Sequence, residues 1–361
     1  MTVASSTPPG SHTRAEILSQ PQCWRDCFAA VDQKDLLGEL CRRFPTRSDW
    51  LFLGCGTSYY IALAAAASWT KLTGLRARAA PASDLMLFPN LLLSGPEPCQ
   101  PVLISRSGHT SEILKAAEYL ELKENIRTLA VSCATHQPLE EISTATLYLL
   151  PADEQSTVMT RSFTSMLLGL EALAAEYAHE TAFAEALRKL PALAQAVLDP
   201  LPAQIQAFAE AHDFADYVFL AQGPLFGLAN EAMLKVKEMS CSYAQAYHTL
   251  EFRHGPRAIV SPQILVTFLL SESGYETECE VLYEVKALGG KTLVVTNRAD
   301  AGTRQAADFL VELNLDLPEY ARLAACAFPG QLLGYYTGLK KGFDPDRPRH
   351  LSRVVVLNDK D

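Results

Sequence analysis

The chain repeats its own strand pattern, and no other feature limits its possible folds as much. Leu51-Phe52-Leu53 runs into Gly54-Cys55-Gly56, and 167 residues on Val218-Phe219-Leu220 runs into Ala221-Gln222-Gly223. Val102-Leu103-Ile104 leads into Ser105-Arg106-Ser107-Gly108, and Phe268-Leu269-Leu270 leads into Ser271-Glu272-Ser273-Gly274, an offset of 166. Two further pairs, Thr128–Ser132 with Thr292–Thr296 and Leu147–Leu149 with Val311–Leu313, lie 164 apart. Four matched strands in the same order predict a duplicated domain.

Helix-length stretches such as Ser111–Lys123 and Glu276–Leu288 separate these runs, with apolar residues recurring every three or four positions. Short, wholly apolar strands alternating with amphipathic helices form βαβ units, in which helices cover both faces of a parallel sheet. The predicted class is therefore α/β, with two tandem doubly wound, flavodoxin-like parallel sheets in three-layer α-β-α domains, at residues 45–196 and 201–341. Residues 1–44 form an N-terminal tail and helices, and 342–361 a C-terminal tail. Leu190–Pro202, with three prolines, reads as the linker.

A length of 361 residues suits two domains, and 48% hydrophobic against 20% charged residues excludes a disordered or fibrous class. Thirty-one basic against 41 acidic residues leave a formal charge of −10, which argues against nucleic acid or an anionic membrane as partner. Leu51–Thr70 is uncharged for twenty residues, but Gly54-Cys55-Gly56-Thr57-Ser58 splits it into strand and helix, so no membrane span is expected. The nine cysteines show neither C-x-x-C nor zinc spacing; they read as reduced thiols of a cytoplasmic protein with no metal site. Met1–Ala15 is polar, lacks the apolar core of a signal peptide, and reads as a frayed tail.

In an open parallel sheet, ligands bind beyond the carboxyl ends of the strands. Ser105, Ser107 and Thr110 fall there. Their hydroxyls, with the amides of the first helical turn, form an anion cradle that needs no lysine. The alternative is that they only cap a helix. The duplicate turn carries Glu272 between its serines, and a carboxylate repels phosphate, so at most the first copy holds an anion. Thr57 and Ser58 offer two hydroxyls on the neighbouring strand's turn. In the polar stretch Asn230–Pro256, Glu231, Lys235 and Glu238 share one helix face. They form either an acid–base set or an exposed Glu–Lys ladder. His254, next to Gly255-Pro256, sits on a turn, where it is free to enter a cleft or to be merely structural.

With these motifs in place, together with Arg161-Ser162-Phe163-Thr164, the sequence resembles the double-domain sugar isomerase (SIS) family. The likeness is strongest to the isomerase half of glucosamine-6-phosphate synthase and to stand-alone amino-sugar-phosphate deaminase/isomerases. It runs from about Ile17 to Val356. The resemblance implies that Ser105, Ser107 and Thr110 hold a sugar phosphate. It implies sugar contacts from Gly56, Thr57, Ser58, Arg106, Thr157 and Ser352. Glu238 would shuttle a proton between C1 and C2, Lys235 would lie beside the sugar, and His254 would open the ring from the other subunit of a homodimer. No cofactor is implied.

Two departures narrow the expectation. Arg353 stands where the synthase has a Schiff-base lysine, and an arginine cannot form that imine. Met159 replaces a small polar residue, which bears on which sugar fits. With no glutaminase domain ahead of residue 1, the expected activity is an amino-sugar 6-phosphate deaminase/isomerase. The alternatives are an aldose–ketose isomerase acting on a sugar without an amine, and a phosphosugar sensor without turnover.

Overall fold

The apolar runs become strands whose side chains alternate between two hydrophobic layers. In the computed structural model, which describes residues 8–45, 49–95 and 99–357, the first half contains β1 (Trp50–Gly54), β2 (Ala77–Pro81), β3 (Gln100–Ile104), β4 (Leu129–Ser132) and β5 (Ala145–Tyr148). The second contains β6 (Asp216–Ala221), β7 (Tyr243–His248), β8 (Ile264–Leu269), β9 (Lys291–Thr296) and β10 (Phe309–Glu312). The sheet orders are β2-β1-β3-β4-β5 and β10-β9-β8-β6-β7. The second repeats the first in mirror listing, and every pairing is parallel. The duplicated α/β architecture is as expected. Two strands had no counterpart in the sequence reading, β2 and β7, and both lie at sheet edges.

On β1, Phe52 faces one layer while Leu51 and Leu53 face the other. On β6, Phe219 faces the first of these layers and Val218 and Leu220 a separate one. Phe52 and Phe219 therefore belong to one shared core, which fuses the halves through the helices Thr57–Thr73, Arg161–Ala178 and Leu225–Ser240. Close backbone approach draws these helices together. A Cβ on Gly227 would stand 2.6 Å from the Tyr60 carbonyl, and on the Phe328–Lys340 helix a Cβ on Gly334 would stand 2.7 Å from the Lys235 carbonyl.

Three expectations about connecting segments change. Leu190–Pro202 is not an open linker: helix Thr181–Leu198 continues through Pro191, and Leu201–Ala211 follows. Burial of Leu190, Pro191 and Ala194 offsets the lost hydrogen bond, and Pro202 sits in a first turn, where no N–H is missed. The N-terminal tail expected to end at Ala15 is helical from Ser11 to Leu18. Asp346 explains this, accepting from Thr13 N at 2.7 Å and His12 N at 3.1 Å at the positive end of that helix. Residues 1–7 lie outside the described residues. The segment after Gly342 is likewise bound to the fold, as the site shows.

Candidate functional site

β1 and β3 are neighbours, with Leu53 beside Leu103, so their carboxyl-end turns lie side by side where the strand order reverses. Gly54 and Gly56 allow the first turn: a Cβ on Gly54 would meet the Ser58 carbonyl at 2.4 Å, and Gly56 has φ 54°. Thr57 and Ser58 then open the Thr57–Thr73 helix as buried hydroxyls.

In the second turn, Ser105 Oγ accepts from Gly108 N at 3.1 Å and lies 3.5 Å from Thr110 Oγ1. Ser107 Oγ accepts from His109 N at 3.2 Å. Gly108, at φ 68°, is required, since a Cβ there would overlap the Gln137 amide at 1.7 Å. Thr110 stands at the N-cap position of the Ser111–Glu118 helix without a side-chain capping bond, at the end where the helix dipole favours an anion. Ser105, Ser107 and Thr110 thus come together as a concave, hydroxyl-lined turn.

Arg106 is turned the other way. Its buried guanidinium pairs with Glu154 at 3.1 Å and donates to the carbonyls of Thr157 and Val158. Glu154 also accepts from Thr160 N and Oγ1. Both Arg106 and Thr157, implied as sugar contacts, are engaged with each other: the Arg106 side chain fixes the 154–158 loop behind the cradle. Glu16 supports the same loop, accepting from the backbone and hydroxyl of Ser156. The C-terminal segment is tied to Arg106 and to the start of the Ser111–Glu118 helix. Arg106 reaches the Arg353 carbonyl at 3.5 Å, Ser111 N donates to Val355 O at 3.3 Å, and Arg353 pairs with Asp153. Ser352 is exposed there and bonds Val354 O at 2.7 Å.

The Glu–Lys face is no solvated ladder. Lys235 is 0% exposed and Glu231 1%. The Lys235 ammonium lies 2.6 Å from Glu238 Oε2, 3.2 Å from Glu231 Oε1 and 3.3 Å from Thr57 Oγ1. Burial pushes the Glu231 carboxyl up to about 8; the Glu238 charge adds to this and Lys235 opposes it. For Lys235, burial works against the charge, but the two carboxylates outweigh it and its pKa is raised. At neutral pH Glu231 is therefore largely protonated, which leaves the Lys235 charge to Glu238, the half-buried member of the set. Gly227 makes this contact possible by letting the two helices approach until Lys235 reaches the Thr57 turn. His254 is not part of this group within one chain: it is exposed on the turn after Phe252, which is anchored in the second half's core.

The duplicate turn after β8 supplies its own anion. Ser271 N and Oγ both donate to Glu278, and Glu272 pairs with Arg322. In the first turn the aligned residue is Glu112, and Ser105 Oγ engages Thr110 instead. The sequence reading found Glu272 but missed Glu278. Both halves carry an acid in the first helical turn after Ser-x-Ser-Gly, so no signal in the sequence separates Glu278, which bonds its serine, from Glu112.

Two doubly wound domains share a core, and one of them carries a hydroxyl-lined turn beside a buried Glu–Lys–Glu set, so the fold is a duplicated α/β one. The chain belongs to the SIS domain family, whose model matches residues 48–176 and 216–328, once in each half. Glutamine–fructose-6-phosphate aminotransferase (isomerizing) of Xylella fastidiosa strain 9a5c is 31% identical over 367 residues, covering 95% of this chain and 58% of that protein. The chain therefore spans less than two thirds of the curated relatives it matches. Glucosamine-6-phosphate deaminase from Thermotoga maritima is similar in structure, with TM-score 0.77 and 29% identity over 96% of this chain and 100% of that one. Tagatose-6-phosphate ketose/aldose isomerase from Escherichia coli shares the fold, with TM-score 0.83, 22% identity, and coverage of 94% and 97%.

Proposed function

We propose that the protein is an amino-sugar 6-phosphate deaminase/isomerase. The observation that carries this reading is the buried Lys235, within 3.3 Å of Thr57 beside the hydroxyl cradle and 2.6 Å from Glu238. It brings an acid–base pair from one half to an anion site on the other. The likeness to the Thermotoga maritima deaminase over the whole of that chain supports the amine-bearing substrate class.

In this reading Ser105, Ser107, Thr110 and the helix amides hold the phosphate, with Thr57 and Ser58 against the sugar. Glu238 removes the C2 proton of the open-chain 2-amino aldose and returns it at C1, a task for a positioned carboxylate. Lys235 stabilises the oxygen charge that develops in the enolamine. The ketimine so formed takes up water at C2 and expels ammonia, which leaves ketose 6-phosphate. Arg353 cannot form the imine that a lysine would, so no covalent link to the sugar is part of this scheme. His254 reaches the site from the second subunit of a homodimer and opens the ring.

The test is incubation with glucosamine 6-phosphate and galactosamine 6-phosphate, following ammonia and ketose phosphate together. Stoichiometric release of both is expected. Ketose–aldose exchange without ammonia would instead assign an isomerase of sugars lacking the amine. Ligand binding with no turnover would assign a sensor. Glu238→Gln is expected to lower kcat about a hundredfold to ten-thousandfold with KM little changed.

A further inference from the structure

The second half keeps a cleft at the carboxyl ends of β8, β9 and β10, which shares no lining residue with the cradle and is unused by the chemistry above. It encloses about 530 Å³ and is lined by Glu272, Tyr275, Asn297, Asp300, Asp316 and Arg322, among others. Comparison of the two halves explains why it exists. In the first half Arg106 follows the strand and pairs with buried Glu154, and the 154–158 loop closes over them. In the second half the polarity is reversed. Glu272 occupies the position of Arg106 and pairs with Arg322, which is 4% exposed, while Glu272 itself is 54% exposed. The pair therefore opens into a cavity.

The walls are fixed by their own bonds. Glu272 N donates to Glu319 at 2.7 Å, Leu315 N to Asn297 Oδ1 at 3.0 Å, and Asp300 N to the Tyr275 hydroxyl at 3.0 Å. A cleft held open in this way is pre-formed for a small ligand.

Charge and shape restrict that ligand. Glu278 already accepts from Ser271 N and Oγ, so the turn has no place for a phosphate, and Glu272 would repel one. Glu272, Asp300 and Asp316 outnumber the guanidinium groups of Arg298 and Arg322 in the lining. These carboxylates are too dispersed to gather on a metal: among the described residues, no three His, Cys, Asp or Glu side chains could hold one. With the Asn297 amide held by Leu315 N and Glu272, the spread carboxylates of Glu272, Asp300 and exposed Asp316 beside a tyrosine ring suit an extended ligand with several hydroxyls and one positive charge. We propose that this cleft binds a small polyhydroxylated amine without a phosphate group, such as a free amino sugar.

The test uses the full chain and glucosamine as the probe, titrated by calorimetry and by ligand-observed NMR. Glucose serves as the uncharged control. Three proteins are compared: wild type, Asp316→Asn and Ser107→Ala. Asp316 is exposed and lies outside the acid–base machinery, so its variant keeps the fold and the turnover of sugar phosphate. Glucosamine is expected to bind wild type and Ser107→Ala alike. Asp316→Asn is expected to bind it about tenfold or more weakly, the size of one lost charge-assisted hydrogen bond. Glucose is expected to bind markedly less well than glucosamine.

Loss of binding in Ser107→Ala with none in Asp316→Asn would place the amine in the cradle and overturn the proposal. So would equal affinity for glucose, or no binding at millimolar concentration. Because the readout is binding of an unphosphorylated probe, its outcome is independent of whether the sugar phosphate turns over.

Discussion

Lys235 is the residue on which the most depends. It is a fully buried cation beside Glu231 and Glu238, and removing it leaves the Glu238 carboxylate without its counter-charge and Glu231 without its buried partner. Lys235→Met should lower stability by about 3–5 kcal/mol, read as the shift of the denaturant midpoint, and abolish turnover. Glu231 gives a prediction with a definite sign. Its folded pKa of about 8 lies above the ordinary glutamate value of 4.5, so its contribution to stability is complete below about pH 4.5 and is lost as the pH rises through 8. The difference in stability between wild type and Glu231→Gln should therefore change across this window, with wild type losing ground toward alkaline pH. A difference curve flat from pH 4.5 to 8 would show that Glu231 ionises like an exposed acid. The i, i+4, i+7 spacing put Glu231, Lys235 and Glu238 on one face, but spacing does not say whether that face meets solvent. Only the second helix pressed against it decides this. Arg106 was legible as a residue of the phosphate turn, yet the direction of its side chain depends on Glu154, 48 positions away.

Helix-to-helix contact makes that burial possible, and at Gly227 the fit allows no side chain. Gly227→Ala would place a methyl 2.6 Å from the Tyr60 carbonyl and force the helices apart. It should cost about 1–3 kcal/mol and raise KM as Lys235 withdraws from Thr57, measurable by thermal melts and steady-state kinetics on the same sample. The strands were legible to different degrees for a physical reason. Central strands are buried on both faces and read as unbroken apolar runs, as Leu51–Leu53 and Val218–Leu220 do. Of the four edge strands, β5 and β10 still carry short apolar runs, but Ala77–Pro81 contains an arginine and ends in proline, and Tyr243–His248 alternates polar with small residues. Neither run carries that signal. The helix through Pro191 was hidden for the opposite reason, since a local breaker is overridden by burial that only the tertiary structure supplies.

At the scale of the molecule, the proposed homodimer predicts complementation. Glu238→Gln and His254→Ala subunits, each inactive alone, should regain part of the wild-type rate when co-expressed, because half the sites in a mixed dimer then pair an intact Glu238 with an intact His254. No recovery, with mixed dimers verified by tag pull-down, would place both residues in one subunit's site. The two copies of the fold also differ in what they can hold. The side chain of Glu278 rests against the serine that its twin domain leaves open, so this half arrives with its vacancy already filled. Duplication of the scaffold thus doubled the walls without doubling the capacity: calorimetry with glucosamine 6-phosphate should count a single ester per polypeptide.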